Sequence, residues 1–362
     1  MNPTRHRIHF VDATQMRPVP DASVHLTVTS PPYPMIQMWD EMFSGRSRSV
    51  RRALDRGDGA AAFESMHRQL DPVWAEVHRV LAPGGFACIN IGDATRSVGD
   101  RFALYPNHVR ILQRLQEIGF TPLPCILWRK QTNSPNKFLG SGMLPAGAYV
   151  TLEHEYILIA RKGAKRGFAN AEEKRRRRQS ALFWEERNRL FSDVWFDLKG
   201  TPQSLPGSDA RVRSGAFPLT LAYRLISMYS AYGDTVLDPF AGTGTTTAAA
   251  AAAARNSIGI EIDASLGPAI ADSVGQVPAR SHHMTRQRLS EHLDFLERRN
   301  DAEKACRHTH RTYGFPVVTA QETDLLLQVA ERVDGSVEHG LTAQHRVLSP
   351  EEVRSFPTSV PS

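Results

Sequence analysis

Apolar positions in this chain fall into short runs of two periods, one suited to strands and one to helices. Residues 24–28 form an apolar run that ends abruptly at Thr29-Ser30-Pro31-Pro32-Tyr33. With the segment before it, the stretch 5–33 reads as strand, turn and strand. Phe63, Met66, Leu70, Val73, Trp74, Val77 and Leu81 recur at helical spacing. A second helix is expected over 109–118, stopped by Gly119 at the position of a C-cap. Strands follow at 125–128 and 154–159. Further on, 235–237 reads as a buried strand, followed by a glycine turn, a helix through 248–254 and a strand at 257–261. Strands alternating with helices predict an α/β fold, a sheet with helices on both faces. Beyond it, amphipathic helices are expected at 286–297 and 322–333, then a frayed tail over 349–362.

Three stretches break this alternation. Residues 34–60 mix Trp39, Met42 and Phe43 with Arg46, Arg48, Arg51 and Arg52, and read as a mobile loop able to close over a substrate. Residues 131–149 are polar and turn-rich; Asn133, Asn136 and Lys137 are candidates for contacts to base edges and phosphates. Residues 163–189 carry the densest charge, including Arg175, Arg176, Arg177 and Arg178. Glu172 and Glu173 stand four residues ahead of Arg176 and Arg177, so part of this run is expected to be a solvated helix.

Composition narrows the classes only a little. An apolar fraction of 41% fits a globular chain, and 44 basic against 38 acidic residues permits nucleic-acid binding without requiring it. No apolar run approaches the roughly 18 residues of a membrane span. The N-terminus lacks the apolar core of a signal peptide, and Cys88, Cys125 and Cys306 offer neither a disulfide framework nor zinc spacing. A cytoplasmic protein without a metal is expected.

The chemistry concentrates in two motifs. In Ser30-Pro31-Pro32-Tyr33, prolines end the strand because they have no N–H to donate. A hydroxyl, a carbonyl and an aromatic ring are left facing outward. That set suits a flat heterocycle with an exocyclic amine, although a loop with a packed tyrosine is the commoner use of such residues. In Asp238-Pro239-Phe240-Ala241-Gly242-Thr243-Gly244-Thr245, a glycine turn opens a helix, which presents N–H groups to a ligand. No lysine follows Gly244, against a P-loop, and Thr247 replaces the third glycine of the dinucleotide fingerprint. Glu261, at the end of the next strand, can accept from ribose hydroxyls. A nucleoside without phosphates fits this turn better than ATP or NAD.

Taken together, these motifs resemble the S-adenosylmethionine-dependent amino-methyltransferases of DNA. The catalytic motif precedes the cofactor motif, as in the permuted beta group, and the resemblance spans about residues 5–265. It implies a Rossmann-like methyltransferase sheet with S-adenosyl-L-methionine as cofactor and Ser30, Pro31, Pro32 and Tyr33 as catalytic residues. Asp12 and Ala13 resemble the segment that meets the adenine, although Val11 stands where glycine is common. Phe217 and Pro218 resemble the start of the helix over the methionine end; the residues before them depart from the usual His-Pro-Ala. The resemblance also implies a catalytic half at 1–162, a basic target-recognition insert at 163–213, a cofactor half at 214–275 and a helical extension at 276–362. The expected substrate is a flipped-out base in double-stranded DNA, with Ser-Pro-Pro-Tyr pointing to N4 of cytosine over N6 of adenine. A cognate restriction endonuclease is the expected partner. An RNA or small-molecule methyltransferase and a non-catalytic DNA-binding protein stay open as alternatives.

Overall fold

The computed structural model describes residues 3–130, 139–200 and 217–355. Asn133, Asn136 and Lys137 lie outside the described residues. The core is a ten-stranded sheet, whose strands are labelled here in chain order. They are β1 (Thr4–Phe10), β2 (Val24–Thr29), β3 (Leu81–Ile91), β4 (Phe120–Arg129) and β5 (His154–Lys162). The second half supplies β6 (Val194–Trp195), β7 (Thr235–Asp238), β8 (Asn256–Glu261), β9 (Gln328–Ser336) and β10 (Gly340–Val347). Across the sheet the order is β6-β4-β5-β3-β2-β7-β8-β1-β10-β9. The central strands β3, β2, β7, β8 and β1 run parallel. Their C-terminal ends therefore share one edge, and the two halves of the chain meet there at β2 and β7. Ligands of open parallel sheets sit at such a meeting point.

Helices cover both faces, as the alternating pattern predicts. Gly59–Val80 buries Met66, Leu70, Trp74 and Val77 on one face, and Asp58 caps it by accepting from Ala61 N–H at 3.0 Å. On the other face, Thr245–Ala252 has alanine at its last five positions and is buried from Thr246 onward, so its backbone can approach the sheet closely. Gly259 of β8 serves the same close approach: a Cβ there would lie 2.7 Å from Ile8 Cδ1.

Three expectations are corrected. Residues 34–60 are not a loop but chiefly two helices, Asp40–Arg46 and Arg48–Asp55, which bury Phe43, Val50 and Ala53 against Gly59–Val80. Residues 322–333 form no helix. Leu325, Leu327 and Val329 are all fully buried at alternate positions, a strand period, and β9 pairs with β10 to extend the sheet beside β1. The extension is thus helical at its start, through Val277–Asp301, and turns to strands after it. In the expected frayed tail, Ser349 instead caps the short helix Pro350–Arg354 in a capping box with Glu352.

The structure also places the arginine-rich run. Helix Ala171–Gln179 forms as expected, capped by Asn170. However, Arg166 pairs with Asp234, which immediately precedes β7, and Ser180 Oγ accepts from Tyr232 N–H at 2.8 Å. These contacts put the helix where the central strands begin. The Ser30–Tyr33 turn lies where they end, roughly 20 Å away along β2. Neighbouring residues tie into the C-terminal extension, through Arg288–Glu186 at 2.7 Å and Trp184 N–H to Glu322 at 2.9 Å. Arg175, Arg176, Arg177 and Arg178 therefore do not join the catalytic turn.

Candidate active site

At the shared edge of the parallel strands lies a cavity of about 310 Å3. It brings together most of the residues expected to hold a cofactor: Asp12, Ala13, Phe217, Asp238, Pro239, Phe240, Ala241, Gly242, Thr243, Thr245 and Glu261. Ser30, Pro31 and Pro32 line it too, so catalytic and cofactor motifs face one space. Pro218 and Gly244 do not line it. Pro218 is the N-cap of helix Leu219–Tyr229, and Gly244 caps Thr245–Ala252 at φ +80°, a left-handed conformation suited to glycine.

The two motifs are joined by one buried carboxylate. Thr29 Oγ1 donates to Asp238 Oδ1 at 2.6 Å, Thr246 Oγ1 donates to Oδ2 at 2.7 Å, and Phe240 N–H donates to Oδ1 at 3.0 Å. Burial raises the Asp238 pKa, and these donors only partly offset it, leaving it at about 6. Its oxygens thus hold the turn to β2 instead of reaching freely into the cavity. Glu261 is oriented by three backbone donors, Gly242 at 2.8 Å, Ile262 at 2.8 Å and Asp263 at 2.9 Å. Asp12 accepts from Thr14 N–H and from Arg46; burial alone would raise its pKa, but these partners take it below the ordinary value.

Several lining residues escaped the sequence reading. Trp39, Met42, Phe43 and Arg46 come from the helical 34–60 segment, so that segment walls the cofactor space. Gln69 also lines it. Its Nε2 donates to Phe43 O at 3.0 Å, and its buried Oε1 has no partner among the described residues. An orphaned acceptor, a glycine turn with open space above Gly242 and an acid at a strand end fit a nucleoside-type cofactor carrying an amine.

The Ser30–Tyr33 turn carries a second surprise. Tyr33 does not project outward; it is 9% exposed. Its hydroxyl accepts from Ser30 Oγ at 3.0 Å and from Asn90 Nδ2 at 2.8 Å, and donates to Glu155 Oε2 at 2.9 Å. Asn90 also donates to Glu155 at 2.6 Å, and Lys130 pairs with its other oxygen at 2.8 Å. Burial, then the Glu155 charge, push the Tyr33 pKa well up, so the phenol keeps its proton. One hint was available: Asn90 is a polar residue inside the apolar run of β3.

Sequence comparison decides the family. Residues 24–271 match the DNA methylase family of N6 and N4 amino-methyltransferases. The chain is a member of that family. The methylase is 49% identical over 325 residues to the type II methyltransferase M.MthZI of Methanothermobacter thermautotrophicus, covering 90% of each chain. M.MjaI of Methanocaldococcus jannaschii is 50% identical over 283 residues, 75% of this chain and 92% of that one. Among solved structures, TTHA0409 of Thermus thermophilus in complex with S-adenosyl-L-methionine superposes with TM-score 0.57 at 34% identity, covering 76% of this methylase and 94% of that chain. The cytosine-N4-specific PvuII methyltransferase shares the fold, with TM-score 0.50 at 15% identity over 75% of this chain and 85% of that one. The cofactor of the methylase is S-adenosylmethionine and its substrate is DNA. No helix among the described residues is long and apolar enough to cross a membrane, and no group of side chains there could hold a metal ion.

Proposed function

We propose that the methylase transfers a methyl group to the exocyclic N4 of a cytosine turned out of duplex DNA, within a restriction-modification system. The observation that carries this reading is the Ser30-Tyr33-Glu155 hydrogen-bond chain at the mouth of the cofactor cavity. S-adenosylmethionine, when bound, supplies an electrophilic methyl on a good leaving group. Asp12, Phe217, Gly242 and Glu261 would hold it. The amine of the base is a poor nucleophile because its lone pair is delocalised into the ring, so the protein has to align it and enrich its electron density. Ser30 donates its proton to Tyr33, which leaves its lone pairs to accept from the amine; the Pro31 carbonyl accepts the amine's second hydrogen. Because Tyr33 donates in turn to Glu155, the carboxylate charge polarises both hydroxyls and makes neutral Ser30 a stronger acceptor. The same chain offers an exit for the proton that the methylated amine must lose. Base stacking on Tyr33 is a second role of the ring, limited by its burial.

Serine rather than aspartate at position 30 favours cytosine, and the type II names of the two archaeal relatives support the restriction-modification setting. Mass spectrometry of nucleosides from DNA of cells expressing the protein tests the base. N4-methylcytosine is expected; N6-methyladenine in its place would overturn the assignment of the base, and no modified base would overturn the activity.

A further inference from the structure

Two apolar elements stand together at the catalytic edge, outside the cavity and its hydrogen-bond chain. The first is a hairpin of strands Ala94–Val98 and Arg101–Tyr105 that follows β3. Both its ends are fixed to the catalytic turn: Asn107 Nδ2 donates to Pro34 O at 3.0 Å and to Gly92 O at 2.9 Å. A Cβ on Gly92 would lie 3.1 Å from the Tyr33 ring. The second is a small hairpin, Leu139–Gly140 paired with Ala148–Tyr149, on the segment that leads into Glu155. The Tyr149 ring stacks on Phe102 with centroids 4.8 Å apart and planes within 6°, so the two hairpins brace each other. At the tip of the second, Met143 and Leu144 are 85% and 69% exposed.

Leu104 and Tyr149 of the same two hairpins are also more than half exposed, and apolar surface gathered in one place marks an interaction site. This one shares an edge with Ser30, and exposed Arg101, at the turn of the hairpin that braces it, adds positive charge suited to phosphates. Extruding a base leaves a gap in the stack, and apolar side chains on a braced hairpin can fill such a gap. We propose that the tip Met143-Leu144 enters the DNA helix as the target base leaves it, with the Phe102–Tyr149 stack as its footing. This inference rests on the reading of the protein as a methylase of duplex DNA. In that role the tip lowers the cost of base extrusion and does nothing for the cofactor or the transfer itself.

The test compares paired with pre-opened DNA. Met143→Ser/Leu144→Ser would be assayed on an oligonucleotide duplex built on the site found modified in expressing cells, and on the same duplex with an abasic residue opposite the target. On the paired duplex the initial rate is expected to fall at least tenfold; on the abasic duplex it should fall less than twofold, with cofactor affinity unchanged. Equal losses on both duplexes, or no loss on either, would overturn the proposal. So would a change in oligomeric mass without a change in transfer, which would make the tip a protein contact. If the double variant loses cofactor affinity, the single variants Met143→Ser and Leu144→Ser carry the same comparison. Failure of the wild type to methylate any duplex would instead count against the function proposed above.

Discussion

Replacing Tyr33 with phenylalanine separates the hydroxyl from the ring. The ring, with its buried packing, stays; the hydroxyl, and the three hydrogen bonds it makes to Ser30, Asn90 and Glu155, go. Asn90 and Glu155 keep each other at 2.6 Å, so the half-buried carboxylate is not stranded. Ser30 alone loses its link to the charge. A buried bond of this kind is worth about 1–3 kcal/mol when one partner is left behind. If that energy is felt in the transition state, transfer slows by roughly five- to a hundredfold at about 1.4 kcal/mol per decade. Single-turnover transfer of a labelled methyl group reads the step, with calorimetry of cofactor binding as the control. Tyr33→Phe should show the slow transfer with cofactor affinity within twofold of wild type; Tyr33→Ala should be slower still. A Tyr33→Phe rate within twofold of wild type, beside an inactive Tyr33→Ala, would refute the polarised chain and leave only the ring.

Three further outcomes are expected. Gly242→Val forces a β-branched residue to φ +52° and fills the open space above the turn, so calorimetry should show cofactor binding lost; unchanged affinity would mean the turn is misassigned. Asp238 has its pKa raised from 3.8 to about 6, so its contribution to stability is present below pH 3.8 and lost as pH rises through 6. Relative to wild type, Asp238→Asn should therefore gain up to about 3 kcal/mol between pH 4 and pH 7 in denaturant titrations without cofactor, and a constant difference would contradict it. Alanine at all four positions 175–178 should leave the salt dependence of DNA binding unchanged, because that helix lies at the opposite edge of the sheet; a flatter slope of log affinity against log salt would return those arginines to the DNA.

What the sequence made legible was local. The Pro-Pro turn after an apolar strand, the glycine turn and the acid at the end of β8 each announce their backbone geometry through residues a few positions apart, and the structure gathers them into one cavity. The contacts missed were distant ones: Glu155 reaches Tyr33 across a separation of 122 residues, and nothing around His154 or Tyr156 marks it. The 34–60 segment misled because its arginines and glycines hide the helical spacing of Phe43, Val50 and Ala53. Charge alone did not place its segment. A run of arginines shows that a face is solvated, and only the docking of Arg166 on Asp234 shows which edge of the sheet it solvates. On the approach to β9 the alternation of Leu325, Leu327 and Val329 was there to be read, but the surrounding acids and glutamines resembled a helix face.

The order of the two motifs along the chain loses its importance once their adjacency is seen. β2 and β7 are neighbours, with Leu26 opposite Val236 and Thr27 opposite Leu237, so Thr29 and Asp238 close the pair at the same edge. Parallel strands need no particular connection between them to place their ends together, provided each is followed by its own helix or turn. The chain can therefore begin in the catalytic half and finish in the cofactor half without altering the site. What cannot be altered is the bond between the halves. Thr29 stands immediately before Ser30 and Asp238 immediately before Pro239, and the 2.6 Å bond between them sets the spacing from Ser30 and Pro31, the acceptors proposed for the amine, to the cofactor turn. In-line transfer tolerates little error in that spacing, so a residue that touches neither amine nor methyl still fixes the geometry on which the reaction depends.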